Sequence, residues 1–189
     1  HFEPVLPVNE NRRKPMVDAQ ALVRDWENMT DTHDFFALLK KHDVERVDAF
    51  NAVEGQFTRR VAVSAVCDAL HEAAFTGTHI MVFVGNKGCI QIHTGPVNRV
   101  ESMEMHGKQW LNVLDPGFNL HMREDLIAQC WIVEKPTRDG VVTSLEVFNT
   151  QQELMAMFFG SRKPGQPEQK AWRDILAQIS TPRQIESMA

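Results

Sequence analysis

The pattern of apolar and polar positions divides this chain into a helical first part and a strand-rich remainder. Up to Gly77, apolar residues recur in four stretches at the i, i+3, i+4, i+7 spacing of amphipathic helices. Asp18 is placed to cap the first helix, and Gly77 is placed to end the fourth. The predicted helices cover residues 18–28, 30–42, 44–53 and 63–77, with a short strand over residues 57–61.

The pattern changes at residue 80, where strands begin. Five consecutive apolar residues, 80–84, are typical of a strand that is buried on both faces. Residues 85–88, Gly-Asn-Lys-Gly, then favour a tight reversal of the chain. In the return strand Ile90 and Ile92 share an apolar face, whereas His93 lies on the polar face, where it either meets solvent or lines a pocket. We therefore expect this hairpin to be the centre of a sheet.

Six further strands follow, and short turns separate them. Such turns favour antiparallel hairpins over β-α-β crossovers. A last helix is predicted to begin near Pro167 and to place Trp172, Ile175 and Leu176 on one face. The sequence thus predicts an α+β fold: a large antiparallel β-sheet meander, preceded by N-terminal helices and closed by a C-terminal helix. The further strands are predicted at residues 97–103, 111–114, 119–123, 128–135, 141–148 and 153–159.

Length and composition restrict the classes of protein. The chain has 189 residues, 43% hydrophobic and 24% charged, enough for one domain whose core needs no disulfides. We expect a lead-in or linker over residues 1–15, a single domain over 16–180 and a tail over 181–189. The net charge of −5 argues against a general nucleic-acid binder. No apolar run is long enough to cross a bilayer, and the first residues do not have the pattern of a signal peptide.

The cysteines point to a reducing compartment. Cys67, Cys89 and Cys130 are odd in number, widely spaced and without a Cys-x-x-Cys motif. This argues against disulfides, against a thiolate zinc site and against covalent c-type haem attachment. The cytoplasm fits such a sequence best.

One histidine is placed differently from the others. On the predicted second helix Phe35 and Leu38 belong to the apolar stripe, whereas His33 points to the opposite side, next to Phe36. His33 also lies in the first helical turn, where the helix dipole favours neutral imidazole, the form that ligates iron or zinc. From these residues alone two interpretations remain open: a metal ligand, or a solvent-exposed histidine beside Asp34.

A second candidate is the loop at residues 160–165. It holds two adjacent cations, Arg162 and Lys163, between glycines and ahead of the last predicted helix. Such a loop is either a seat for a carboxylate or phosphate or a basic surface turn. Three other catalytic or binding motifs are absent from the sequence. Residues 85–88 do not have P-loop spacing, no His-Glu-x-x-His is present, and no serine lies in a nucleophile elbow.

Four long blocks of the sequence closely resemble the HemS/ChuS/PhuS family of bacterial haem-utilisation proteins, and the resemblance extends over about residues 15–180. Members of that family take up haem in the cytoplasm after import, and some open the ring as haem oxygenases. The family is built as two similar halves in tandem, and this chain resembles the C-terminal half. The blocks are residues 80–97 (IMVFVGNKGCIQIHTGPV), 110–125 (WLNVLDPGFNLHMRED), 131–146 (WIVEKPTRDGVVTSLE) and 158–167 (FFGSRKPGQP).

The resemblance implies b-type haem (iron protoporphyrin IX) as the cofactor. Haem is a flat apolar ring with a central iron and two carboxylates on one edge, so its site needs an imidazole, apolar walls and cations. The arginine that faces the iron from the distal side in the family belongs to the N-terminal half. Catalytic residues are left unknown. The implied site residues are His33 for the iron, Arg46, Lys135 and Arg162 for the propionates, and Phe36 and Phe159 for the walls.

Three functions are compatible with this sequence. We expect a cytoplasmic haem-binding protein of bacterial haem uptake, which holds haem for trafficking and iron release. The alternative is a haem-degrading enzyme that cleaves the ring with O₂ and an external electron donor, because the ring itself supplies that chemistry. The third is a partner-binding fold that has lost the haem site. Expected partners are haem, a haem-accepting or electron-donating protein, and either the N-terminal half of the same protein or a second copy in a homodimer.

Overall fold

The structure is a computed structural model that describes residues 16–86 and 88–179 of the chain. The predicted lead-in over 1–15, the predicted tail over 181–189 and Lys87 of the hairpin turn lie outside the described residues. The helices are α1 Ala19–Glu27, α2 Asp34–Lys41, α3 Arg46–Ala52, α4 Ala65–Thr76 and α5 Lys170–Gln178. The strands are β1 Thr58–Val61, β2 Ile80–Gly85, β3 Ile90–Gly95, β4 Val100–Met105, β5 Lys108–Asp115, β6 Phe118–Arg123, β7 Gln129–Thr137, β8 Gly140–Phe148 and β9 Leu154–Gly160.

The predicted α+β class is confirmed, and the strands form two antiparallel sheets. The larger sheet has six strands in the order β1-β7-β8-β9-β2-β3, and the smaller has three in the order β4-β5-β6. The chain therefore inserts its last three strands between β1 and β2. Every strand pair in the described part of the chain is antiparallel, as the short turns predicted.

The β2–β3 hairpin was predicted to be the centre of the sheet, and this was wrong. It lies at one end, with β3 as the edge strand. Ile90 and Ile92 are 58% and 52% exposed, so the apolar face of β3 is not a core face. In β2 only alternate residues are buried, among them Ile80 and Val82. The continuous apolar run arose because the other face of β2 lines an apolar groove and not because both faces are buried.

One face of the large sheet is covered over most of its width. Helices α4 and α5 and the small sheet pack on it, and the resulting core includes Ile80, Val82, Phe158 and Trp172. The predicted stripe of α5 is confirmed, because Trp172, Ile175, Leu176 and Ile179 are all buried. By contrast Val63, which we placed on the α4 stripe, is 51% exposed and precedes the helix.

The other face of the large sheet is covered over only half its width. Helices α1 to α3 pack on the β7–β8 side, where their core includes Trp131, Val133 and Phe148. On β9 and β2 the same face is left without a helix. Its residues pair across the strands as Met81 with Phe159 and Phe83 with Met157. We call these four residues the open face.

Among the described residues, no helix is long and apolar enough to span a membrane.

Candidate functional site

The open face forms one wall of a groove of about 330 Å³. The start of α2, the first residue of α3 and the loop after β9 form the other walls. All six residues that we predicted for the site lie along this groove. They are His33, Phe36, Arg46, Lys135, Phe159 and Arg162.

His33 is held at the start of α2 by two aspartates. The helix was predicted to begin at Thr30–Asp31, and it begins later, at Asp34, with His33 as the N-cap residue. The reason is that the Asp34 carboxylate accepts from the backbone N–H groups of Thr30 and Asp31, at 3.0 Å each, and so stabilises a turn ahead of the helix.

The second aspartate, Asp31, orients the imidazole. One carboxylate oxygen of Asp31 accepts from the backbone N–H of His33 at 2.8 Å and contacts Nδ1 of the His33 ring at 2.6 Å. These bonds from His33 hold the pKa of the Asp31 carboxyl below its usual range. Because a carboxylate only accepts, the contact places the ring proton on Nδ1 and leaves the lone pair of Nε2 free. The His33 side chain is 92% exposed, so Nε2 is accessible from solvent.

The floor of the groove is a buried ion cluster around Glu146, which has no exposed surface. Arg46 donates to its carboxylate through Nε at 2.6 Å and through Nη2 at 2.9 Å. Lys135 donates from Nζ at 2.8 Å, and Ser144 donates from its hydroxyl at 2.9 Å. Both cations also lie on the ring of Phe35, at 4.9 Å for Arg46 and 4.7 Å for Lys135.

Two cations against one carboxylate leave the floor with one net positive charge. Burial alone would raise the pKa of Glu146, but the charges of Arg46 and Lys135 and their hydrogen bonds outweigh it and hold that pKa far below its usual range. The pKa of Lys135 is lowered, first by burial and then by the charge of Arg46, and these effects outweigh the attraction of Glu146. The cluster thus has one more cation than its carboxylate balances, and this excess charge can attract an anion.

Among the described cations that line the groove, Arg162 has the weakest contact with a carboxylate. Its guanidinium lies 3.8 Å from the carboxylate of Asp139, and its side chain is 21% exposed. The neighbouring Lys163 is exposed and does not line the groove. The loop does not lead directly into a helix N-terminus, as we had expected, because α5 begins only at Lys170. Arg162 therefore acts as a single side chain at the groove's edge.

The walls are apolar. Phe36 is 70% exposed on the helix side. On the sheet side Phe83 and Phe159 pack edge to face with their ring centres 5.2 Å apart. Met157 lies next to them. The groove is thus a slot between one aromatic side chain and a flat sheet surface.

Sequence reasoning missed the two carboxylates that organise the site. Glu146 interrupts the apolar run of β8, and a charge at such a position was the available signal. Asp31 lies two residues before His33, but only the folded turn shows that it contacts the ring. Met81 and Phe83 were assigned to the core of a central strand and belong to the groove instead.

A larger hollow of about 620 Å³ lies between β1 and α5. Arg59 and Arg173 line it together with Glu54 and Glu134, and its described lining residues include no histidine. The Arg59 guanidinium is already bound to the backbone carbonyls of Leu176 and Ile179. The described lining of this hollow therefore offers neither an imidazole for iron nor a free pair of cations, and we place the site in the groove.

The fold and the groove first define a class: an α+β domain with an imidazole and paired cations beside an apolar slot. The chain belongs to the haemin-degrading HemS.ChuX domain family, whose profile matches residues 43–179. His33 precedes the matched residues, so its assignment rests on the geometry and on the earlier resemblance.

Individual relatives agree with this family. The hemin transport protein HemS of Yersinia enterocolitica is 41% identical over 167 residues, which are 88% of this chain and 47% of HemS. The crystal structure of holo-PhuS, a heme-binding protein from Pseudomonas aeruginosa, matches 96% of this chain and 51% of its own, with 42% identity and a TM-score of 0.86. The structure of ChuS, an E. coli heme oxygenase, matches 91% and 51%, with 42% identity and a TM-score of 0.80. The chain spans about half the length of these relatives.

Proposed function

We propose that this chain is a haem-binding unit of bacterial haem uptake, which holds b-type haem through Nε2 of His33 for trafficking and iron release in the cytoplasm. One observation carries the proposal: Asp31 fixes the His33 ring with Nε2 free, at the mouth of an apolar slot whose floor is cationic. The relatives support it, because PhuS is a heme-binding protein and HemS a hemin transport protein.

The residues of the groove fit the chemistry of haem. The ring is apolar and flat, and it would lie between Phe36 and the open face. Arg162 would meet one propionate through a charge-assisted hydrogen bond. The second propionate would face Arg46 and Lys135, whose cluster with Glu146 keeps one positive charge uncompensated.

Haemin titration of the native chain and of His33→Ala tests the proposal. We expect a sharp Soret band for the native chain, and a weak, broad band with affinity lower by roughly tenfold or more for the variant. His71→Ala is the matched control, because His71 is also an exposed helical histidine but lies on α4. The haemin affinity of Asp31→Asn should lie between those of the native chain and His33→Ala, since this change keeps the shape of the side chain and removes the charge that orients the ring.

Two results would overturn the assignment. Equal spectra and affinities for the native chain and His33→Ala would show that His33 is not the iron ligand. No Soret change on adding haemin to the native chain would favour the third function, a partner-binding fold without a haem site.

The second candidate function is haem degradation. ChuS is a heme oxygenase and is 42% identical to this chain, so the same groove could hold haem as a substrate. Ascorbate added to the haem complex under air separates the two functions. Loss of the Soret band with appearance of an open tetrapyrrole supports the enzyme, and intact haem after prolonged incubation supports the carrier.

Since the chain spans about half of its relatives, we propose that a further half of the same protein, or a second copy of this chain, closes the groove from the side opposite His33. Size-exclusion chromatography with and without haemin would distinguish a monomer from a homodimer. A haem-accepting or electron-donating protein remains the expected partner for release.

A further inference from the structure

The groove continues into a second compartment. The two share Phe36, Phe83, Ile90 and Met157, so one flat ligand can extend through both. The second compartment has a volume of about 590 Å³, larger than the groove itself. The site is therefore longer than the part that holds His33 and the cations.

The two ends of this long site differ in charge. Arg162 follows the end of β9 beyond Phe159, and the charged groups of Lys135 and Arg46 meet Glu146 beside Met157, the residue with which Glu146 pairs. The other end is lined by Leu154 and Met155 at the start of β9. At the strand rise of about 3.3 Å per residue, the four steps from Met155 to Phe159 span about 13 Å.

The far end also carries a negative charge. Glu153 lines the second compartment, and none of that compartment's described lining residues is a cation. Glu153 is exposed and accepts from the side-chain amide of Asn149 at 2.8 Å. An anionic group entering this end would lose water to apolar side chains and approach a like charge, and both effects oppose binding.

We propose that the second compartment receives the edge of the porphyrin that carries no carboxylate, so that the site selects porphyrins whose carboxylates share one edge. This inference rests on the proposed function and extends it. The cations bind the propionates at one end, and Met155, Leu154 and Phe83 bury the alkyl and vinyl groups at the other. Haem b then binds in one direction along β9, and porphyrins that carry carboxylates on the opposite edge as well bind more weakly.

Iron coproporphyrin III tests this selectivity, because it carries propionates where haem b carries its two vinyl groups. We expect the native chain to bind it roughly tenfold or more weakly than haemin in a Soret titration. Glu153→Lys should reduce that ratio severalfold or more, by replacing the repulsive charge with an attractive one. Met155→Lys should also reduce that ratio, because it adds a positive charge to the lining of the same compartment. Unfolding midpoints of each variant show that it is folded.

Glu104→Lys is the matched control. Glu104 is also exposed and accepts from a neighbouring amide, that of Gln109, but it lies on β4 of the small sheet. Glu104→Lys makes the same change in net charge as Glu153→Lys and should leave the ratio of the haemin and iron coproporphyrin III affinities unchanged.

The outcomes separate this inference from the proposed function. Haemin binding that depends on His33, together with equal affinity for iron coproporphyrin III, would overturn the selectivity alone. An equal change of the ratio in Glu104→Lys and Glu153→Lys would also overturn it, because net charge would then explain the effect. A native chain that binds neither porphyrin would overturn the proposed function itself.

Discussion

At the scale of single residues, Glu146 decides the charge of the groove floor. It is a fully buried carboxylate bonded by side chains from α3, β7 and β8. Such a cluster is expensive to desolvate, and removing one member leaves the others buried without a counter-charge. We therefore expect the stability of the fold and the charge of the site to depend on the same residue.

Acid should weaken the fold through Glu146. Its folded pKa lies below its ordinary value of 4.5, so its contribution to stability is present above about pH 4.5 and is lost as the pH falls through the more acidic range. Glu146→Gln should lower the free energy of unfolding at pH 7 by about 3–5 kcal/mol. The difference from the native chain should shrink as the pH is lowered from 5 to about 3.

Urea unfolding at a series of pH values measures this effect. Ser144→Ala is the control, since it removes one hydrogen bond to Glu146 and keeps every charge, and should cost about 1 kcal/mol at all these pH values. A difference between native and Glu146→Gln that does not change below pH 5 would contradict the prediction.

At the scale of elements, the packing of β9 against α5 places Arg162. Gly160 ends β9, and a Cβ at that position would lie 2.7 Å from the Cβ of Trp172 on α5. The Trp172 indole donates to the carbonyl of Thr143 at 2.9 Å, and the Glu168 carboxylate accepts from the backbone N–H of Thr143 at 2.7 Å. The segment on either side of Arg162 is thereby fixed to β8.

Gly160→Ala should force β9 and α5 apart. We expect a loss of about 1–3 kcal/mol in the free energy of unfolding, because the close contact is with the rigid start of a side chain. Haemin affinity should fall as well, since Arg162 follows two residues later. Gly117→Ala is the control: no atom lies within 4 Å of its Cβ position, and its stability should change by less than about 0.5 kcal/mol.

The elements themselves could be predicted well from the sequence, and their arrangement could not. Strand and helix positions follow local alternation, helical spacing and turn residues, so α5 and the last three strands were found within a few residues. The order of strands depends on pairing between distant segments, so the edge position of β3 was missed. The family resemblance pointed to His33 and the three cations, and the chemistry of haem pointed to Phe36 and Phe159. Glu146 and Asp31 became visible only through their contacts.

At the scale of the whole molecule, the groove results from a sheet whose two faces are covered unequally. One face is buried under α4, α5 and the small sheet, and this core makes the sheet rigid. The other face is buried only on the side of α1 to α3. A flat ligand can bind where the helical layer stops, with the ends of α2 and α3 supplying His33 and Arg46 at that boundary.

The half-covered sheet has a further consequence for the behaviour of the protein in solution. Ile90 and Ile92 are more than half exposed on β3, whose outer edge pairs with no other strand in the described part of the chain. Exposed apolar strand edges promote self-association. Light scattering should therefore show concentration-dependent clustering of the haem-free protein, which Ile92→Lys suppresses and the equally exposed Val63→Lys does not. If haemin also disperses the clusters, haem binding and colloidal stability are coupled. The haem-free protein would then be the form most prone to self-association.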